Sequence, residues 1–505
     1  MKRAALIFAA MSLAAAATAC GAHDFGAGGD SGSDGPEISF DAAFPDVPVV
    51  VSDAGDGGCT NLQCQVDVAC DGAQTTLTGT VYDPAGAMPL NGVYVYIPNQ
   101  TPDAIPVGNP TCSVCQAPAS GQPIIGALTD PNGKFTLTRG TGPYAGVPSG
   151  TGIPLVIQAG KWRTQLTINV PITSCGTVDL DTVFNSGTGT LQQQHQMRLP
   201  SKSSEGDMPL IAFTSGYDPA ECFLLDIGID PSEFVPPGSP TGHVQFFTAK
   251  DGQSPTMAGS QIDGGNTPAE TYVWWGDHTN LLQYDIVFNA CEGAPNVRTA
   301  QGQLENPYTA MDKYLNGGGR LFATHYYENW LTTTNTPDLQ SAAEWHQWGT
   351  SGGPDIPEDD DVDQTFPKGQ AFAQWLLNTN VSTTLGDITL TDTRDDVDAQ
   401  EPTSCSTATG TCYSTQWIYH PGDNHPRYIS FNTPVNVQNN TAGQCGRAVV
   451  SDVHVAGTNT TGVMFPGECA SPDPNYAANE KALEFLFFDL ASCIQDDSQP
   501  QTQPN

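Results

Sequence analysis

His325 in RLFATHYYENW and His454 in RAVVSDVHV each stand just past a short apolar run. So do Asp218 in IAFTSGYD and the pair Cys291–Glu292 in DIVFNACEG, and Glu328 and Asp452 lie within three residues of the two histidines. If those runs are parallel strands, their C-terminal ends open on one crevice, where ligands of open α/β sheets bind. Two imidazoles and several carboxylates there suit general acid–base work or a metal ion. A second reading stands beside it: the histidines hydrogen-bond loops, and Asp218, followed by Pro219, caps a helix. Cys291 is in the same position twice over, as a nucleophile after a strand or as the disulfide partner of Cys222. No cofactor is expected.

The remaining cysteines have a structural reading. The chain has 14 Cys, and in an exported protein disulfides persist. Cys405 and Cys412 flank a short run of turn residues and are expected to bridge. Cys112 and Cys115 sit at the spacing of a zinc half-site, but no second pair follows, so a bridge between them is expected as well. One cysteine is left over. The acidic run from Asp355 to Asp363 lacks the glycine and final glutamate of a calcium loop and reads as solvated. Trp274, Trp275, Trp330, Trp345 and Trp348 fall near the crevice in sequence; such rings suit sugars, although most are expected in the core.

The elements that must hold these residues follow from periodicity. Residues 205–495 alternate short apolar strands with amphipathic stretches at Pro219–Leu225, Pro307–Leu315, Leu339–Gln347, Gly369–Leu377 and Tyr476–Cys493. That alternation predicts a doubly wound α/β domain with a mainly parallel sheet. An antiparallel excursion is expected over residues 386–432. Residues 71–185 show a period of two between Gly, Pro, Asn and Asp turns, which predicts an antiparallel β-sandwich. The chain thus reads as multidomain, with a linker at 186–204 and a disordered tail at 496–505.

Two family resemblances rest on these segments. LTGTVYDPAGAMPLNGVYVYIPN followed by ALTDPNGKFTL resembles the carboxypeptidase regulatory-like (transthyretin-like) sandwich, which implies a non-catalytic accessory module. YDIVFNACEG, AMDKYLNGGGRLFATHYYENW and CGRAVVSDVHV resemble the class I glutamine amidotransferase-like fold, in particular its trehalose-utilisation-type subgroup. That resemblance implies a saccharide or saccharide derivative as substrate. One departure matters: the elbow cysteine of amidotransferases is replaced by His325, so glutaminase chemistry is not expected.

The N-terminus supplies an address. Met1-Lys2-Arg3, an apolar run and Ala17-Thr18-Ala19-Cys20 resemble a lipoprotein signal, with residues 1–19 removed and Cys20 acylated. Residues 20–70, rich in Gly, Asp and Ser, read as a disordered spacer. The protein is then expected at the cell envelope, on the periplasmic or surface side of the outer membrane, with the membrane as partner through its lipid. Net charge is −37, from 54 acidic and 17 basic residues. Such a surface repels phosphates and excludes nucleic acid as a partner. Two functions fit: an envelope binding or structural module, or a hydrolase or related enzyme working through the His/carboxylate crevice on a carbohydrate. Oligomeric state is not legible.

Overall fold

Strand formation follows the alternating and apolar runs. The computed structural model describes residues 58–502 apart from 68, 116, 216–217, 249–273, 292–301, 334, 347–356 and 456–464. Cys20, Glu292 and Trp348 therefore lie outside the described residues.

The N-terminal part supplies β1 (Thr76–Thr80), β2 (Tyr94–Pro98), β3 (Pro123–Leu128), β4 (Lys134–Leu137), β5 (Ile153–Ala159), β6 (Trp162–Ile168) and β7 (Thr177–Asp179). They form a three-stranded sheet, β4-β1-β7, and a four-stranded antiparallel sheet, β3-β2-β5-β6. In the first, β1 runs antiparallel to β4 and parallel to β7.

The larger part supplies β8 (Ile211–Ser215), β9 (Phe234–Val235), β10 (Val244–Thr248), β11 (Ile286–Asn289), β12 (Arg320–Thr324) and β13 (Ala343–Trp345). After these come β14 (Glu358–Val362), β15 (Asp387–Leu390), β16 (Val397–Gln400), β17 (Thr415–Tyr419), β18 (Pro426–Thr433) and β19 (Gly446–Ser451). Ten of them make one sheet in the order β15-β14-β17-β18-β19-β12-β11-β8-β10-β9. From β9 to β19 the pairings are parallel, and from β19 to β15 antiparallel. The sheet is mixed rather than mainly parallel, because the expected excursion joins it edge to edge.

Alternate side chains of the central strands feed two cores, as the pleat dictates. Phe288, Phe322 and Val449 enter one core, whereas Val287, Leu321, Ala323, Ala448 and Val450 enter the other. Helix Pro307–Asn316 covers the second face, with Ala310, Met311, Tyr314 and Leu315 inward. Its start is set by Asn306, whose side chain accepts the Tyr308 N–H, and by Pro307 at the first helical position. Gly318 follows at φ +109°, with the Thr111 backbone 2.7 Å from any Cβ placed there. Helices Ala220–Asp226, Pro367–Asn378 and Ala477–Ala491 contribute to the first core. That core runs on into the N-terminal part through Leu77, Ile157 and Trp162. No helix among the described residues is long and apolar enough to cross a membrane.

Several sequence expectations are corrected. Cys112 pairs with Cys445 and Cys115 with Cys493, not with each other. The reason is local: Val114 lies in a parallel bridge with Ile494, and backbone hydrogen bonds from Cys115 to Ile494 and from Ile494 to Ser113 lay this segment along the C-terminal one. Cys222 pairs with Cys469 rather than Cys291, because helix Ala220–Asp226 carries it to the turn at Gly467–Ala470. Cys405–Cys412 forms as expected, alongside Cys59–Cys64 and Cys70–Cys175. The helix expected from Leu339 does not run on: Pro337–Gln340 makes one turn and β13 follows. Residues 358–362 of the acidic run form strand β14, with Asp360 buried against Arg427 at 3.2 Å and His420 at 3.3 Å. Within the expected linker, Met197 and Leu199 are core residues. Within the expected tail, Asp497 is fully buried and ion-paired to Arg447 and Lys368.

Candidate functional site

Four adjacent parallel strands, β8, β11, β12 and β19, deliver Asp218, Cys291, His325 and His454 at or just past their C-terminal ends. The position is the one the sequence indicated. His325 has φ +53°, a left-handed conformation rare for a bulky residue and frequent where a functional side chain is aimed off a strand.

Asp218 does not cap a helix. Its Oδ2 accepts the Thr324 hydroxyl at 3.2 Å and the Val455 N–H at 3.0 Å. Thr324 Oγ1 in turn accepts the Cys291 N–H at 2.9 Å. The Asp218 N–H donates to the Cys291 carbonyl at 3.0 Å. Asp218 is thus a clamp that fixes the spacing of the strand ends, one residue away from the reacting groups.

Within the clamp three side chains converge. Cys291 lies in no disulfide and is buried. Its Sγ is 3.5 Å from His325 Nδ1. His454 stacks on His325 with ring centroids 3.9 Å apart and an interplanar angle of 29°. His454 Nδ1 contacts Asp392 Oδ2, which also accepts the Tyr476 hydroxyl at 3.3 Å. The Asn479 amide donates to the carbonyls of His454 at 2.6 Å and Thr391 at 2.7 Å, seating both segments. Ligand atoms of Cys291, His325 and His454 all lie within 4.8 Å of one another.

The two imidazoles have opposite charge preferences. Burial, helped by His454 and Arg394, pushes the His325 pKa well below the usual histidine value. Burial opposes charge on His454 too. Its hydrogen bond to Asp392 and the nearby Cys291 and Asp218 outweigh that and hold its pKa well above the usual value.

The other sequence candidates lie elsewhere. Asp452 Oδ2 accepts the Asp396 and Val397 N–H groups at 2.8 and 3.0 Å, tying β16 to the end of β19. Burial, then the charges of Asp396 and Glu328, raise the Asp452 pKa well above normal. Trp274, Trp275 and Trp330 are buried in the second core and offer no sugar platform. Asp392, Tyr476 and Asn479 were not singled out from sequence. Asp392 follows β15, far in sequence from the parallel strands, and nothing distinguishes it from its acidic neighbours in LTDTRDDVD.

The fold and the crevice define an α/β protein with a thiol–imidazole–carboxylate cluster at its strand ends. No family model and no curated protein matches the chain. Among solved structures, a ThuA-like protein from Bacteroides uniformis is similar at a TM-score of 0.29 and 8% identity, covering 55% of this chain and 89% of its own. A cytoplasmic protein from Salmonella typhimurium is similar at 0.29 and 11%, covering 55% and 97%. A type II cohesin–X-dockerin complex from Acetivibrio cellulolyticus is similar at 0.16 and 16%, covering 31% and 85%.

Proposed function

We propose that this chain is a lipid-anchored envelope protein whose α/β part is a hydrolase or related acyl-transfer enzyme using Cys291 as nucleophile. The observation that carries the reading is His454, oriented by the Asp392 carboxylate and with a ring nitrogen within 4.8 Å of the Cys291 sulfur. A thiol is the nucleophile in its thiolate form, and a neighbouring imidazole supplies the base that generates it. Asp392 accepts the His454 Nδ1 proton, which fixes the tautomer and leaves Nε2 for the sulfur. Cys291 Sγ attacks a carbonyl carbon, His454 protonates the leaving group, and water activated by the same imidazole releases the acyl product. An ester or amide, including one on a saccharide derivative, is the electrophile this chemistry takes. The N-terminal sheets act as an accessory sandwich in this reading, and the acylated Cys20 holds the whole at the envelope. Disulfides linking the N-terminal part to the larger one support a non-cytoplasmic location.

The test is alkylation of the native, non-reduced full chain with iodoacetamide, read by peptide mapping. Cys291 should carry the adduct, and Asp392→Asn should slow its formation by an order of magnitude or more. A Cys291 that resists alkylation until the chain unfolds would instead identify a binding or structural module with a closed crevice, the reading that the burial of Cys291 favours.

A further inference from the structure

We propose that Cys291, His325 and His454 form a binding site for a thiophilic divalent ion of the zinc class, which blocks the thiol when bound. The inference goes beyond the enzymatic reading and rests on it only for that consequence. A tetrahedral zinc with bonds of about 2.3 Å to sulfur and about 2.0 Å to nitrogen sets its S and N ligands roughly 3.5 Å apart. Cys291 Sγ and His325 Nδ1 are 3.5 Å apart, and the third donor, on His454, lies within 4.8 Å of both. All three are buried, and they stand on three neighbouring strand ends.

Two further features fit an ion better than a thiol–imidazole pair alone. Asp392 on His454 Nδ1 is the carboxylate–histidine arrangement that orients metal-ligating imidazoles. His325 has no evident part in nucleophilic chemistry, yet its strained backbone aims it at the sulfur. Its buried Nε2 makes no hydrogen bond among the described residues. One thiolate and two imidazoles favour zinc-like ions over calcium or magnesium, which take oxygen ligands. Thiolate and neutral imidazole are the ligating forms in general, so affinity rises with pH.

The experiment uses the full, disulfide-intact chain after chelation and dialysis. Zinc uptake is measured by equilibrium dialysis, and cobalt serves as the spectroscopic probe. The expected result is one ion per chain and a near-ultraviolet thiolate-to-cobalt absorption band that Cys291→Ser removes. Asp392→Asn should weaken binding by about 10–100-fold, and His325→Ala or His325→Gln by more. Zinc should suppress alkylation of Cys291 in the wild type but not in either His325 variant, with circular dichroism confirming that both are folded. Zinc uptake by the wild type no greater than by Cys291→Ser would overturn the proposal, as would equal zinc protection in the His325 variants. The two readings fail separately: an ion that binds a chain whose apo thiol never alkylates refutes the nucleophile alone. A thiol that alkylates without any ion uptake refutes the metal site alone.

Discussion

His325 and His454 stack face to face, 3.9 Å between ring centroids, yet their surroundings prepare one to be neutral and the other charged. Two like charges at that distance repel, so the proton goes to the ring that has a carboxylate. Asp392 contacts His454 and not His325. The surroundings thus favour charge on His454 and neutrality on His325, whose Nδ1 is 3.5 Å from the Cys291 sulfur.

Opposite shifts give opposite pH limbs of stability. The His454 pKa is raised on folding, so its contribution is full below the unfolded value of about 6.5 and is lost as pH rises through the folded value. The His325 pKa is lowered, so the native state resists a proton that the unfolded chain accepts, and stability falls as pH drops below about 6.5. Denaturation measured across pH should show His454→Gln flattening the alkaline limb and His325→Gln the acid limb. Imidazole NMR resonances that both titrate near 6.5 would contradict this assignment.

Arg447 supplies a second buried charge problem and its solution. Its guanidinium donates to Asp489 and Asp497, each at 2.7 Å, and Lys368 reaches the same two carboxylates at 2.6 and 2.8 Å. Burial opposes charge on Asp497, but Arg447 and Lys368 outweigh it and hold its pKa far below the usual range. Asp497→Ala leaves two buried cations sharing one carboxylate and should cost about 3–5 kcal/mol in urea unfolding. The depressed pKa means the stabilisation is present above about pH 3.9 and lost as pH falls further. The penalty of Asp497→Asn should accordingly shrink below pH 4. A chain ending at residue 495 should show a similar loss.

The strand ends were legible because β8, β11, β12 and β19 are short apolar runs, and the sheet rule says where such runs point their C-terminal residues. Cys291, His325 and His454 came with them. Asp392 did not, since it arrives on the antiparallel half, whose place beside β19 no periodicity encodes. Strand β14 was missed for a different reason. Its sequence, EDDDV, reads as solvated, and only Arg427 on β18 and His420 make burial of Asp360 tolerable. The tail misled in the same way, since the burial of Asp497 depends on Arg447 and Lys368, which are distant in sequence.

The anchor is tested by Cys20→Ser. If Cys20 is acylated, the wild-type chain partitions with membranes, and the variant is released or stays an uncleaved precursor. Processed Cys20→Ser protein that still sediments with membranes would overturn the assignment.

The disulfide map makes the last prediction. Cys112–Cys445 and Cys115–Cys493 join the N-terminal sheets to the larger part, across 333 and 378 residues of sequence. The segment between them is exposed around Gly187-Thr188-Gly189, so a protease site placed there can be cut in the folded protein. After cutting, the two fragments should migrate as one species on a denaturing gel without reductant, and as two with dithiothreitol. Removing either bridge by a paired Cys→Ala change should keep the fragments together but lower stability by about 2–5 kcal/mol. Removing both should let them part without reductant. Fragments of the cut wild type that separate before reduction would show that these cysteines pair within each part, and that only packing at the shared core holds the two together.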